Sequence, residues 1–387
     1  KASIELIATK HAGFINAAMS ARQLLCWKND TLSFPLGELH DWPDFGVRAA
    51  ARWTLCGEAT RWALDYGEGP EAFLEFAQKE LDFLMRHKVN AVYFDGFTLD
   101  AERFPGYARL VSSLNDYAAL RNIRLVFGFY GIGFGGYGAD NMLAEAHNFL
   151  PGAGADFNRK HYPDGEKYAC CGNNPARPET RFNGTCRSNP GLAARKRQMI
   201  MDFVRRIRPR ALYIHNEDLA GFDKTEEVFW RQRCQECRKK WPDDALESTQ
   251  GGAAGLAYGF DVLCEAVAAV KEPDFNYDGA RDCSILLTSP GYGSGGFDSE
   301  EEWGKTVQLW TNISKQMKYV NNVFFTFREQ FLSEDAQGSR IEKLCDSIKR
   351  DGKGHQLQVF VVSGADLYLD DGQFAAAGGI DKHCANP

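Results

Sequence analysis

From Gly46 onward, short β-rich apolar runs alternate with longer amphipathic stretches, and this alternation constrains the fold of the chain most strongly. Strand–helix repeats of this kind are typical of parallel sheets with helices packed outside them. Seven runs are predicted to be strands: Val47–Leu55, Asn90–Phe94, Arg124–Tyr130, Ala211–His215, Ser284–Thr288, Asn322–Phe327 and Gln358–Ser363. The sequence therefore predicts an α/β fold, a (β/α)8 TIM-type barrel, whose eighth strand lies within 372–387 or is absent from the sequence.

The stretches between these runs have helical periodicity. The predicted helices are Glu71–His87, Tyr107–Arg121, Pro190–Arg206, Thr225–Trp241, Ala253–Val270, Glu300–Met317 and Ser339–Lys349. The long insert 131–189, rich in Gly, Asn and Pro, follows the third strand. Loops after barrel strands build the active site, so this insert is expected beside it.

Residues 1–40 precede the alternation and are too few for a domain of their own. A strand is expected at Ile4–Ala8 and a helix from about Gly13 to Leu25, followed by a turn-rich link. The chain starts with Lys1, and no charged-then-apolar leader is evident, which indicates a processed or trimmed chain. A secreted, periplasmic or lysosome-like location is favoured over the cytoplasm.

The net charge of −7 and the pI near 5.7 argue against a nucleic acid as partner, because phosphate binding draws on clustered basic residues. One basic patch runs from Arg195 to Arg208, and its spacing indicates the solvated face of a helix. No run approaches the roughly 18 consecutive apolar residues of a membrane span.

The chain has 11 cysteines, an odd number at scattered spacings. Five of them could form a metal set: Cys170, Cys171, Cys186, Cys234 and Cys237. However, Cys234 and Cys237 recur with Phe229, Trp230 and Trp241 at helical spacing. Buried thiols or a disulfide are therefore favoured over zinc, and no metal or cofactor is expected.

The strongest local feature is the segment Ala211–Leu219, an apolar strand that ends abruptly in His215, Asn216, Glu217 and Asp218. Polar residues at the carboxyl end of a barrel strand point into the catalytic mouth. A helix N-cap is the structural alternative, but it would lie several residues before the helix predicted at Thr225. The pattern favours a catalytic role, centred on Glu217.

Other strands are also followed by polar groups that could bind a substrate. Asp95 and Asp100 follow the second strand, and Asp95 is nearer to its end. Glu329 closes the sixth strand, although Arg328 could hold it in an ion pair. The remaining candidates are Tyr292, beyond the fifth strand, and Tyr368, Asp366 and Asp370 beyond the seventh, where a polar surface turn explains them equally well.

The helical stretch Ala12–Leu25, led by glycine and ending Gln-Leu-Leu, is followed by His40-Asp-Trp-Pro-Asp-Phe-Gly-Val-Arg48. Together these two motifs resemble the entry to the family 20 β-N-acetylhexosaminidases, in which such a helix closes a small α+β domain and such a segment opens the barrel. The resemblance implies that residues 1–40 are the end of that domain with its linker, and that 41–387 form the catalytic barrel.

The resemblance also implies an activity: removal of a terminal N-acetylhexosamine from a glycan by substrate-assisted catalysis, a known exception to two-carboxylate mechanisms. The acetamido oxygen of the substrate attacks the anomeric carbon, a Glu protonates the leaving oxygen, and a preceding Asp orients the acetamide. The family's sugar-binding Arg corresponds to Arg48 and its acetamide-binding Tyr to Tyr368.

The sequence departs from the family at the catalytic pair, where Gly-Gly-Asp-Glu is replaced by His215-Asn-Glu-Asp218. In one register Glu217 orients the acetamide and Asp218 is the acid. In the other, which we prefer because Glu reaches further, Asn216 orients the acetamide and Glu217 is the acid. The family's Trp-x-Glu on the eighth strand has no counterpart.

Two other functions are compatible with these residues. One is a retaining β-glycosidase with Glu217 as acid/base and Glu329 as nucleophile, which requires carboxyl groups about 5 Å apart. Such enzymes place the nucleophile on the seventh strand, whereas Glu329 follows the sixth. The other is a non-catalytic carbohydrate-binding barrel, since a fold does not determine a function.

Overall fold

The computed structural model describes ten stretches of the chain. They are residues 4–41, 46–51, 70–95, 101–102, 105–129, 188–214, 235–245, 253–288, 300–328 and 336–360.

The N-terminal segment contains one helix and one hairpin. Helix α1, His11–Leu24, forms where a helix was predicted, and strands β1, Cys26–Lys28, and β2, Thr31–Ser33, pair antiparallel. Both residues of the hairpin turn, Asn29 and Asp30, have positive φ (49° and 57°). Asn and Asp are the non-glycine residues that best tolerate this conformation, which a two-residue hairpin turn requires.

The predicted strand at Ile4–Ala8 is wrong, because these residues adopt no regular structure. A strand needs a partner for its backbone hydrogen bonds, and no described strand pairs with this one. The hairpin lies in the predicted turn-rich link, where two three-residue strands are too short to show an alternation.

The remaining strands follow in chain order. They are β3 (Ala49–Ala51), β4 (Ala91–Asp95), β5 (Arg124–Phe129), β6 (Ala211–Ile214), β7 (Lys271–Glu272), β8 (Tyr277–Asp278), β9 (Ser284–Thr288), β10 (Val323–Arg328) and β11 (Gln356–Phe360). Strands β7 and β8 form a small antiparallel hairpin that the sequence did not predict. The other seven form one parallel sheet, and each overlaps a predicted strand.

The order of strands in this sheet is β3-β4-β5-β6-β9-β10-β11, the same as their order along the chain. A doubly wound open sheet reverses its order at a switch point, and no reversal occurs among the described strands. A sheet that is wound in one direction with parallel neighbours is the sheet of a (β/α)8 TIM-type barrel. The candidate eighth strand, in 372–387, lies outside the described residues.

Helices connect the strands. They are α2 (Pro70–Arg86), α3 (Pro105–Ala119), α4 (Pro190–Ile207), α5 (Gln235–Lys240), α6 (Ala253–Ala268), α7 (Gly279–Asp282), α8 (Glu300–Gln316) and α9 (Ala336–Asp351). The long helices pack in sequence, α2 on α3, α3 on α4, α4 on α6, α6 on α8 and α8 on α9, and so form a layer around the sheet. None of the described helices combines the length and apolar character needed to cross a membrane.

The strands alternate between two apolar surfaces, as a two-residue period requires. On β6, Leu212 and Ile214 belong to the large core between the sheet and the helices, while Ala211 and Tyr213 belong to a smaller cluster on the opposite, inner face. Helices therefore cover the outer face of the sheet, and the smaller cluster lies on the inner face.

The amino-terminal edge of the sheet is built from tight helix-to-strand turns. Lys88, Asn122, Arg208 and Asn322 precede β4, β5, β6 and β10, and all four have positive φ. A left-handed residue commonly ends a helix and redirects the chain. The opposite, carboxyl-terminal edge carries the longer connections, where functional residues of a barrel are expected.

Candidate functional site

Most of the predicted site residues lie outside the described part of the chain, and their roles stay predictions. These residues are His215, Asn216, Glu217, Asp218, Tyr292, Glu329, Tyr368 and Asp370. The described strands still show which edge of the sheet they follow. Strand β6 ends at Ile214 and β10 at Arg328, directly before the two predicted acidic sites. Because these strands are parallel members of one sheet, their carboxyl ends share an edge.

Asp95 is the last residue of β4, so its backbone lies at this same edge. It pairs in register with Gly128, which in turn pairs with Tyr213 on β6. The position of Asp95 is thus compatible with the predicted substrate-binding role, which remains a prediction.

Below this edge the inner face is aromatic. The rings of Tyr93 and Tyr213 meet edge to face with centroids 5.5 Å apart. Burial raises the pKa of Tyr93 well above its usual range, so its phenol stays neutral at any physiological pH. The pair therefore forms an aromatic layer of the barrel interior beneath the candidate site.

Arg48 occupies the opposite end of the sheet, because it directly precedes β3. Its backbone N–H donates to Asn90 Oδ1 at 2.7 Å, and its Nε donates to the carbonyl of Lys88 at 2.7 Å. The Asn90 N–H donates back to the Arg48 carbonyl at 2.9 Å. These contacts give Arg48 a structural role in joining β3 to the turn before β4. The predicted contact with a sugar is an additional role that stays a prediction.

A second set of contacts at this end holds the N-terminal segment against the barrel. Lys88 Nζ donates to Asp41 Oδ2 at 2.5 Å, and the Ser20 hydroxyl of α1 donates to the same carboxylate oxygen. The hydrogen bond from Lys88, with that from Ser20, holds the pKa of Asp41 below its usual value. Asp41 is therefore an ionised link between α1 and the turn that begins β4.

The predicted solvated basic face of α4 is wrong for one residue, because Lys196 is only 2% exposed. It belongs to the core-facing stripe of the helix, with Ala193, Met199 and Ile200. Helical periodicity places position 196 on this stripe, but the run of charged neighbours suggested a wholly exposed segment. On the other faces of α4, Arg197 donates to Glu265 at 2.7 Å, so part of the patch is neutralised by acidic partners.

The thiol of Cys237 donates to Ser188 Oγ at 3.3 Å, and the residue is buried against Trp241. Cys234, the other end of the predicted pair, lies outside the described residues. Within the described ranges, no group of three or more His, Cys, Asp or Glu side chains is arranged to hold a metal ion. The helical spacing of Cys237 and Trp241 thus corresponds to core packing.

A surface cavity of about 510 Å³ lies beside the first turn of α4, lined by Ser188, Asn189, Pro190, Glu236, Lys239 and Lys240. Asn189 Oδ1 accepts from the N–H groups of Gly191 and Leu192 at 2.9 and 3.3 Å, so it caps the helix. Lys239 pairs with Glu236 at 2.9 Å. The carboxamide of Asn189 is thus engaged with α4, and Lys239 is engaged with Glu236.

No protein-family model matches the sequence, and no curated protein matches it at a significant level. Solved structures do resemble the fold. The exo-β-N-acetylglucosaminidase of Vibrio harveyi, a family 20 glycoside hydrolase solved with N-acetylglucosamine, matches with a TM-score of 0.50 and 10% identity, over 90% of this chain and 46% of that one.

Two further solved structures match with lower TM-scores. A chitobiase of Flavobacterium johnsoniae gives 0.48 at 11% identity, over 89% of this chain and 42% of that one. A β-N-acetylhexosaminidase of Bacteroides fragilis gives 0.47 at 16% identity, over 90% and 56%. The chain spans about half the length of these structures. The Vibrio harveyi match confirms the resemblance at the level of fold: this chain has a barrel similar to that of a family 20 glycoside hydrolase.

Proposed function

We propose that the protein is a glycoside hydrolase that removes terminal β-linked N-acetylhexosamine from glycans by substrate-assisted, retaining catalysis. The observation that carries the proposal is the polar run His215-Asn-Glu-Asp218, which directly follows the buried strand β6 at the carboxyl edge of the barrel. Functional residues of barrel enzymes come from this edge. The similarity of the barrel to that of a family 20 enzyme supports the choice of reaction.

In the proposed mechanism the acetamido oxygen of the substrate attacks the anomeric carbon. Glu217 donates its proton to the glycosidic oxygen as that bond breaks, and Asn216 and Tyr368 hold the acetamide. The resulting oxazolinium is then opened by water, which Glu217, now a carboxylate, deprotonates. Because the acetamido oxygen is held close to the anomeric carbon, its effective molarity is high, and no carboxylate of the enzyme is needed as the nucleophile.

The other predicted residues would bind the sugar or its linkage. They are Asp95, His215, Tyr292, Glu329 and Asp370, whereas Arg48 lies at the opposite edge of the sheet. Carboxylates accept hydrogen bonds from sugar hydroxyls, and Arg and Tyr donate to their oxygens. The substrate is thus a neutral carbohydrate, a glycan or glycoconjugate, consistent with the acidic balance of the chain.

The retaining two-carboxylate mechanism is the second candidate, and one observation favours it. Glu329 directly follows β10, and β10 lies two strands from β6, with β9 between them. An acid/base and a nucleophile on separate strands of one edge could flank the same glycosidic bond. This mechanism would not need an acetamido group on the substrate.

The experiment compares hydrolysis of an aryl β-N-acetylhexosaminide with that of the matching 2-hydroxy glycoside. The proposal expects cleavage of the first only, and tight inhibition by a thiazoline that mimics the oxazoline intermediate. Equal turnover of both substrates, with labelling of Glu329 by a 2-fluoro sugar, would instead establish the two-carboxylate mechanism. Binding of N-acetylhexosamine without turnover of either substrate would establish a carbohydrate-binding barrel.

A further inference from the structure

Two copies of the tripeptide Asn-x-Ser/Thr lie within the described residues, and the proposed hydrolase chemistry uses neither. This tripeptide is the acceptor motif of N-linked glycosylation, in which an oligosaccharide is joined to the side-chain amide of the asparagine. The two copies are Asn29-Asp-Thr31 and Asn312-Ile-Ser314, and a third, Asn183-Gly-Thr185, lies outside the described residues. The structure distinguishes the two described copies by their surroundings.

The first copy forms the tip of the β1–β2 hairpin. Asn29 and Asp30 are the two turn residues, and Thr31 is the first residue of β2. All three residues are exposed, and the Thr31 hydroxyl donates to the Asn29 carbonyl at 3.3 Å. A two-residue turn protrudes from the strands that it joins, so an enzyme can approach both the carboxamide and the hydroxyl of this copy.

The second copy lies inside helix α8 and is not accessible in this way. Asn312 is half-buried, and Ser314 is completely buried. The Ser314 hydroxyl donates to His355 Nδ1 at 2.7 Å and accepts from the Lys353 N–H at 2.9 Å. An enzyme that requires this hydroxyl would have to unfold the end of α8. Of the two described copies, only the one at Asn29 is open to modification in the folded protein.

A large aromatic side chain lies next to the first copy. Trp27 is 69% exposed, and its partner across the hairpin, Leu32, is 55% exposed. Cross-strand partners project from the same face of a hairpin, so these two side chains form one apolar surface that is open to solvent. Two strand residues span about 6.6 Å, so a sugar joined to Asn29 is within reach of the Trp27 ring. The C–H groups of a pyranose pack well on the electron-rich face of such a ring.

We propose that Asn29 is the acceptor of an N-linked glycan when the chain is exported past an oligosaccharyltransferase, and that the first sugar packs on Trp27. In the transfer, Asn29 Nδ2 forms a bond to the anomeric carbon of an oligosaccharide carried on a lipid diphosphate. The bond from that carbon to the diphosphate breaks, the lipid diphosphate leaves, and the amide loses one proton. The glycan then covers the apolar face of the hairpin. This inference does not depend on the proposed hydrolase activity.

Secretion of the full chain behind a signal peptide, from a eukaryotic host, tests the acceptor. With Asn183→Gln as background, we expect an increase in apparent mass that peptide-N-glycosidase removes, and mass spectrometry should locate the glycan on Asn29. Asn29→Asp and Thr31→Val should each abolish the increase. Both changes are nearly isosteric, and Asp tolerates the positive φ of the turn, so the hairpin is kept. Asn312→Gln is the matched control and should leave the increase in place.

An unglycosylated product in the Asn183→Gln background would overturn the acceptor. The same conclusion holds if the increase persists in Asn29→Asp and disappears in Asn312→Gln. A chain that is retained inside the cell gives the same information, because transfer precedes secretion and the retained chain can be analysed in the same way. Thr31→Ser keeps the hydroxyl and should keep the glycan, which separates loss of the motif from loss of the hairpin.

Hydrogen–deuterium exchange tests the contact with Trp27. An endoglycosidase that leaves only the first sugar should not change exchange in β1 and β2, whereas removal of the whole glycan should accelerate it by about threefold or more. Trp27→Ala should keep the glycan and abolish this difference. Equal exchange before and after removal of the whole glycan would reject the contact with Trp27, even where Asn29 is glycosylated.

Discussion

The proposed chemistry depends on one carboxyl group, that of Glu217, because it alone transfers protons in both steps. Glu217→Gln keeps the size of the side chain and removes the proton, so hydrolysis of an unactivated substrate should fall by about 10²- to 10⁴-fold. Circular dichroism and the thermal midpoint should stay close to those of the parent. Retention of more than about a tenth of the activity would show that another residue is the acid. Glu236→Gln on the exposed helix α5 serves as the control.

A prediction for Arg48 must include protein stability as well as activity, because Arg48 joins β3 to the turn before β4 through Lys88 and Asn90. If it also binds the sugar, Arg48→Ala should raise KM as well as lower the stability of the protein. The loss in kcat/KM should correspond to about 1.5–3 kcal/mol, the value of a hydrogen bond to a charged group.

Asn90→Ala separates the two roles of Arg48. It removes the acceptor of the Arg48 backbone N–H and leaves the guanidinium in the protein. This variant should lower the thermal midpoint and leave KM unchanged. If both variants only destabilise the protein, the role of Arg48 is confined to the amino-terminal edge of the sheet.

At the scale of elements, the turns before β10 and β11 are joined by a buried imidazole. His355 Nε2 donates to the carbonyl of Tyr319 at 2.9 Å, since a carbonyl can only accept. Its Nδ1 therefore accepts from the Ser314 hydroxyl at 2.7 Å, and Ser314 Oγ accepts from the Lys353 N–H at 2.9 Å. The ring also stacks on Phe325 with centroids 4.6 Å apart. Both ring nitrogens of His355 are therefore hydrogen-bonded while the imidazole is neutral.

Burial lowers the pKa of His355, and the nearby Lys353 adds to this effect. The folded state thus binds the proton less tightly than the unfolded state, whose pKa is about 6.5. The stabilising contribution is complete above that pH and is lost as the pH falls through the folded-state pKa. The urea midpoint should therefore decrease below about pH 6.5.

His355→Gln is the test of this pH dependence, because it can keep both hydrogen bonds and does not titrate. It should flatten the decrease in the urea midpoint below neutral pH. His87, an exposed histidine of the α2–β4 turn, provides the control His87→Gln, which should leave the decrease intact. A parallel decrease in parent and His355→Gln would assign the effect to carboxylates instead.

The sequence was most informative about elements that have a distinctive local pattern, either helical periodicity or a continuous apolar run. Strands such as Ala211–Ile214 are apolar on both faces and so are recognisable without knowledge of their neighbours. Ile4–Ala8 is also mostly apolar, but none of the described strands pairs with it, and pairing is not visible in a local pattern. Lys196 shows the same limit at one residue, because its charge predicted exposure whereas its helical phase determined burial.

The candidate site was predicted only as far as its edge of the sheet. The parallel strands β4, β6 and β10 end at the same edge of the sheet, so the sequence predicts one region for the residues that follow them. The distances between those residues depend on the long connections, and the sequence of these connections shows neither helical nor strand periodicity. Arg48 illustrates the consequence, since its motif indicated a sugar ligand whereas its described contacts are structural.

At the scale of the whole molecule, burial is very unevenly distributed. Strands β4 to β6 are covered on both faces, since Val92 and Leu212 are almost completely buried on the helix side and Val126 and Ala211 on the opposite side. In α1 only Ser20 is buried, and Phe14 is 50% exposed. In the hairpin that follows, Trp27 is 69% exposed. Local opening requires little free energy where few apolar contacts are lost, so the N-terminal segment should open without the barrel.

Hydrogen–deuterium exchange followed by mass spectrometry measures this difference directly. Amides of α1 and of the β1–β2 hairpin should exchange orders of magnitude faster than those of β5 and β6, which open only when the whole barrel unfolds. Asp41→Asn weakens the link from Lys88 and Ser20 to the barrel, so it should accelerate exchange in α1 and leave β5 unchanged. If α1 is instead protected as long as β5, its exposed side chains must be covered in solution. If the protection of α1 then decreases on dilution, a second copy of the chain covers these side chains, because self-association weakens as the protein concentration falls.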